Sequence, residues 1–127
     1  MHNIIIASGP VIVENKKVLL DISGEDDFWK FCGGKPKDNE NLHETARRRS
    51  KEELGIDIEI IDNSPFLMHT IKEDSDIILV HWLSKRTGEI NPGQDIKKWE
   101  WIPFDELKNL NLAPNIIPTL KHFEFIK

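Results

Sequence analysis

Residues 33–56, GGKPKDNENLHETARRRSKEELGI, concentrate the side chains able to do chemistry. Two glycines open the stretch, and glycine lets a backbone approach a ligand closely. A charged, helix-forming run follows and ends in adjacent carboxylates, Glu52 and Glu53, just before Gly55. Residues three and four apart are neighbours on a helix, so Glu44, Arg48 and Glu52 line up, with Glu53 beside Glu52. Two acids at a helix end, where the macrodipole is already negative, are unfavourable together. A positive charge has to offset them. Arg48 and Arg49 are one source; a hard divalent cation, which prefers carboxylate oxygen, is another. A glycine loop, a helix and paired carboxylates together suit a magnesium-bound diphosphate. An acidic pair near a helix end also fits a solvated surface, so the fixed spacing from Gly34 through Glu40, Arg48, Glu52 and Glu53 to Gly55 carries the reading.

The elements that must position these residues follow from the flanking patterns. Polar residues 39–41 can cap a helix. Leu42, Ala46 and Leu54 lie near one stripe with Thr45 and Ser50 at its margins, a thin apolar face that packs on one side, and Gly55 suits the C-cap. Upstream, residues 3–7 read as a strand punctuated by Ser8-Gly9-Pro10. Residues 11–13 and 18–20 read as a hairpin, and residues 28–31 as a short strand. Downstream, the pattern predicts strands at 56–61, 66–71, 77–83 and 98–102, the second and third forming a hairpin around the acidic tip 73–76. A short helix begins near Pro103, and a final helix spans 115–123 with Pro118 in its first turn. Strands and helices in this order imply an α/β (α+β) fold, a mixed sheet covered by helices on both faces.

The chain's 127 residues suffice for one domain. At 39% hydrophobic and 31% charged it reads as soluble and globular. A net charge of −5 argues against a DNA or RNA polymer or an anionic membrane as partner. A single cysteine, Cys32, excludes an internal disulfide and a cysteine-rich zinc site and suits a reducing cytoplasm. Apolar runs fall far short of the roughly 20 residues of a spanning helix, and the first residues lack the charged region of a signal peptide.

Gly34, Glu40, Arg48, Glu52, Glu53, Gly55 and Ile56 occupy a spacing that resembles the Nudix box, G-x5-E-x7-R-E-U-x-E-E-x-G-U with U aliphatic. Gly33, Leu42, Glu44 and Ala46 match its usual accessories. Val18-Leu19-Leu20, Trp29 and residues 101–107 (WIPFDEL) look like the framework of the same family. The resemblance implies one MutT-like domain over residues 1–127, an α/β/α sandwich. Three positions depart from the family pattern: Arg49 replaces a glutamate that usually binds metal or acts as base, Ser50 an aliphatic residue, and Cys32 a proline.

By resemblance, the activity is hydrolysis of a nucleoside triphosphate, or of a nucleoside diphosphate linked to another group, with Mg²⁺ or Mn²⁺. Glu52 and Glu53 would hold the metal, joined by a carbonyl near Gly34 and by a loop acid, Asp95 or Glu100. Arg48 would orient the carboxylates and Glu40 would brace the loop. Asn115 stands where such proteins place a base-reading asparagine; the plainer reading of an asparagine before a helix is an N-cap. Trp82, His81, Phe28 and Trp29 are candidates to stack on a base or to fill the core. Cys32 reads as a small buried thiol. Arg49 is three and four residues from Glu52 and Glu53 and can pair with both. Two readings therefore stand: a hydrolase whose base comes from elsewhere, or a nucleotide-binding module in which Arg49 replaces the metal charge. The implied partner is a nucleotide or other diphosphate-containing small molecule, bound by a monomer or a homodimer.

Overall fold

The first strand decides where the site can form. In the computed structural model, which describes residues 2–127, β1 (Asn3–Glu14) runs without a break through Ser8-Gly9-Pro10. It pairs with β2 (Lys17–Ser23) only at its end, through Val13↔Val18 and Glu14↔Lys17, and upstream the two strands part. The Ser8 and Gly34 main chains exchange hydrogen bonds of 2.9 and 3.1 Å on the side that β2 has left. Peptide groups alternate sides along a strand, so Pro10 faces the same gap as Ser8. Its missing N–H therefore removes no ladder bond, and the expected interruption does not occur.

Residues 29–34 fill that gap. Lys30 bridges to Asp21 of β2 and Gly34 bridges to Ser8 of β1. The strand expected at 28–31 exists only as isolated bridges, because its residues are stitched to different neighbours in turn. The remaining elements are α1 (Leu42–Leu54), β3 (Asp57–Ile60), β4 (Phe66–Lys72), β5 (Ser75–Thr87), β6 (Ile96–Pro103), a 3-10 helix (Phe104–Asn109) and α2 (Ile116–His122). They build a six-stranded sheet in the order β3-β5-β1-β2-β6, with β4 also on β5. The β1–β5 pair is parallel and the others are antiparallel, so the sheet is mixed, as expected.

Helices cover both faces. On one, Ala46 and Leu54 of α1 pack with Leu19, Val80 and Trp82. On the other, Ile116 and Leu120 of α2 and Leu107 pack with Val11, Leu20, Phe31 and Ile102. Each such aliphatic side chain contributes about 1.5–3 kcal/mol when fully buried. Asn41 and Glu44 form a reciprocal capping box at the start of α1, and Gly55 ends it with φ 70°, a left-handed conformation suited to glycine. Thr45 and Ser50 lie fully inside the packed face rather than at its margins. Their hydroxyls are satisfied locally: Ser50 Oγ donates to the Ala46 carbonyl at 2.7 Å, and Thr45 Oγ1 donates to Glu40 at 2.7 Å. No helix of the described residues is long and apolar enough to cross a membrane.

Candidate active site

The loop from Gly33 to Glu40 is fastened to α1 by Arg48. Its guanidinium donates to Glu40 through Nε (2.8 Å) and Nη2 (3.0 Å), to Glu52 through Nη1 (2.9 Å), and to the Lys35 carbonyl (2.8 Å). Glu40 also accepts from Thr45 Oγ1 and the Lys37 amide. The hydrogen bonds from Arg48, Lys37 and Thr45 hold its carboxyl down at about 2, and the Glu40 hydrogen bond in turn raises Arg48. Glu40 thus braces the loop, and Arg48 orients Glu52.

Arg49 points the other way, into the space between the loop and the helix end. It donates to Glu52 Oε1 at 2.8 Å, pairs with Glu53 Oε2 at 3.1 Å, and sends Nε to the Gly33 carbonyl at 3.4 Å. A Cβ on Gly34 would stand 2.4 Å from Arg49 Nε, so only glycine lets the side chain cross there. Glu53 is buried, and its Oε1 accepts from the Gly33 amide (3.2 Å) and the Cys32 thiol (3.4 Å). The Arg49 hydrogen bond and the charges of Arg48 and Arg49 lower the Glu52 pKa. Burial, then Glu53, raises the Cys32 thiol well above its ordinary range, so it is an inert core group rather than a nucleophile.

A second loop closes the helix end. The Asn91 amide donates to the Leu54 carbonyl at 2.8 Å and the Gly93 amide to the Glu53 carbonyl at 2.9 Å, satisfying groups a helix leaves unpaired. Asp95 follows, its carbonyl accepting from the Gly24 amide at 3.0 Å. Its side chain is exposed and bonds to neither Glu52 nor Glu53. Glu100 lies opposite Leu20, on the α2 face of the sheet, and is off the site. Asp21 is the acid that sequence reasoning missed. It is 2% exposed on β2, and burial, then the charge of Glu53, pushes its pKa up to about 7. A charged residue after two leucines inside a strand was its only sequence signal.

On the α2 face, beyond Gly33 and Glu53, a cavity of about 430 Å³ is lined by Phe28, Phe31, Leu79, His81 and Asn115, with Lys30 and Lys72 at its walls. Asn115 precedes α2, but its side chain makes no cap hydrogen bond. It turns inward instead, its amide nitrogen 3.4 Å from His81 Nδ1. Burial lowers His81 to about 4, so the ring is neutral near pH 7. Trp82 is not in this cavity. Alternation along β5 sends it to the α1 face, where Nε1 donates to Ser8 Oγ at 3.0 Å and His43 meets the ring edge-on. The expectation that Trp82 contacts substrate is therefore corrected: His81 takes the cavity position. Phe28 lines the cavity, whereas Trp29 packs against the α2-side core.

Residues 6–123 match the NUDIX domain family model. The 8-oxo-dGTP diphosphatase of Buchnera aphidicola is 30% identical, over 98% of this chain and 97% of its own length. Nudix hydrolase 2 of Arabidopsis thaliana is 32% identical over 83% of this chain. The chain spans 41% of that relative and 11% of the m7GpppN-mRNA hydrolase of Saccharomyces cerevisiae. Among solved structures, a MutT NUDIX hydrolase from Burkholderia pseudomallei superposes with TM-score 0.82 over 94% of this chain and 98% of its own, at 21% identity. A box helix with its acids in place, on this sheet and in this company, makes the chain a MutT-like member of the Nudix hydrolase family.

Proposed function

We propose that the chain is a divalent-metal-dependent pyrophosphohydrolase that cleaves a diphosphate bond in a nucleoside triphosphate or a nucleoside diphosphate derivative. One observation carries the proposal: the carboxylates of Glu52 and Glu53 and the carbonyl of Gly33 all turn toward one cation, the guanidinium of Arg49. That guanidinium marks a position where hard oxygen donors converge, at the wall of a cavity that carries Asn115 and His81. No three His, Cys, Asp or Glu side chains among the described residues are placed to hold a metal as the chain stands, with Arg49 bonded to both glutamates. The donor chemistry fits Mg²⁺ or Mn²⁺ once Arg49 withdraws. Such an ion would neutralise phosphate oxygens and lower the pKa of a bound water.

Withdrawal is within reach of this side chain. Arg49 is partly exposed and its Glu52 partner is 43% exposed, so that pair is weak. Glu53, by contrast, is buried and needs a positive partner at all times. A metal exchanged for Arg49 keeps Glu53 compensated and frees a guanidinium, which binds phosphate bidentately. Arg48 holds Glu52 in orientation throughout. Deeper in the cavity, the His81 ring can accept one Asn115 amide hydrogen, and the Asn115 carbonyl oxygen remains to accept from a nucleobase edge.

The Arg49 ion pairs are also what a nucleotide-binding module would contain, and turnover separates the two. Purified protein incubated with a panel of nucleoside triphosphates and nucleoside diphosphate derivatives, with Mg²⁺ or Mn²⁺, releases phosphate-bearing products under this proposal. No turnover across the panel with either ion overturns it.

A further inference from the structure

Asp21 lies two residues beyond Leu19 on β2 and so shares the α1 side of the strand, the side of Arg49 and Glu53. Its Oδ1 is buried and finds no hydrogen-bond partner among the described residues. A buried carboxylate oxygen without a donor is costly, and folded proteins rarely keep one unless a ligand or ion completes it. The charges that face it are Glu53, Lys30, Asp95 and Arg49. Both cations are engaged elsewhere: Lys30 Nζ sits 2.7 Å from Asp26, and Arg49 is spread over Glu52, Glu53 and Gly33. Two of the four are acids, so neither free cation nor hydrogen-bond donor completes the buried Oδ1.

We infer that Asp21 is a further divalent-cation ligand of this site, engaged when Arg49 withdraws, and that it restores at position 21 the acid that position 49 lacks. The inference rests on the metal-dependent reading above. Asp21 brings an oxygen with no other partner, Glu53 brings Oε2 once Arg49 releases it, and a hard divalent ion accepts both. Position 21 belongs to a strand rather than to the helix, so the ion would tie β2 to the end of α1. The two elements are otherwise joined through core packing.

The test is Mn²⁺ binding to the purified chain, read from the electron paramagnetic resonance signal of free Mn²⁺, with metal-free thermal melting alongside. Asp21→Asn is nearly isosteric and removes the charge; Asp21→Ser removes it with a smaller side chain. Both variants are expected to weaken Mn²⁺ binding at least about tenfold, while Asp21→Asn melts no lower than the parent without metal. Glu53→Gln is expected to lose the site. If both Asp21 variants bind Mn²⁺ as tightly as the parent while Glu53→Gln does not, the Asp21 assignment is overturned and the metal centre stands. If the parent binds no Mn²⁺, the metal-dependent reading falls and takes this inference with it. A lower melting point for Asp21→Asn with unchanged Mn²⁺ affinity gives Asp21 a purely structural role and overturns the inference as well.

Discussion

Arg48 and Arg49 are adjacent in sequence and occupy opposite situations. Arg48 uses four of its five donor hydrogens, on Glu40, Glu52 and the Lys35 carbonyl. Every partner belongs to the loop or helix that it joins. Arg49 reaches over Gly34 to two glutamates and the Gly33 carbonyl, and sits between the glycine loop and the end of the helix. A helix turns about 100° per residue, so neighbouring side chains diverge. One faces the Glu40 brace and the other the space between Gly33 and the two glutamates. Identical side chains one residue apart thus differ in what they join: Arg48 ties the loop at Glu40 and Lys35 to the helix, whereas Arg49 gathers Glu52, Glu53 and the Gly33 carbonyl, and the geometry separates them where composition does not.

The largest effect should come from the acid that Arg49 compensates. Glu53→Gln is expected to cut kcat/KM by at least about 100-fold, since metal charge stabilisation is worth several kcal/mol and each 1.36 kcal/mol is tenfold. Steady-state hydrolysis at saturating Mg²⁺ checks this, and near-parental activity would remove Glu53 from the centre. Arg48→Ala should cost about 10- to 100-fold, the range for residues that orient ligands. Arg48→Lys should recover only part of that, because an ammonium cannot reproduce the fork.

The fastening half carries a pH signature. The Glu40 carboxyl is depressed from 4.5 to about 2. A depressed acid stabilises the fold above its ordinary pKa, and that contribution disappears as pH falls through the folded value. Melting temperature followed from neutral pH to about 2 should therefore drop less steeply for Glu40→Gln than for the parent. Equal slopes would deny Glu40 its bracing role.

The helix of the site was largely legible in the chain. Asn41, Gly55 and the acid spacing fix its ends and its functional edge through local hydrogen bonding and periodicity, which a sequence displays directly. What escaped depended on pairing between distant segments. The continuity of β1 through Pro10 requires knowing that β2 diverges there. The misplacement of Trp82 came from not knowing which face of β5 meets which helix, a one-residue parity that a run of apolar side chains on a doubly covered strand conceals. Asp21 went unnoticed because its meaning comes from burial beside Glu53, which is 32 positions away in the chain.

A smaller effect separates cavity from centre. Asn115→Ala should raise KM by about tenfold for the preferred nucleotide and change kcat less, as expected for a contact made equally in ground and transition states. A fall in kcat alone would move Asn115 out of base recognition. Smallest is a coupling: Gly34→Ala puts a methyl 2.4 Å from Arg49 Nε, so its cost in melting temperature should largely vanish in an Arg49→Ala background. Equal costs in both backgrounds would show that Arg49 does not cross Gly34.

The most direct measurement is a crystal structure of the chain soaked with Mn²⁺. Anomalous density is expected among Glu52, Glu53 and the Gly33 carbonyl, with the Arg49 guanidinium swung out of its place. Arg49 unmoved on both glutamates, with no metal beside them at saturating Mn²⁺, would contradict the metal-dependent reading.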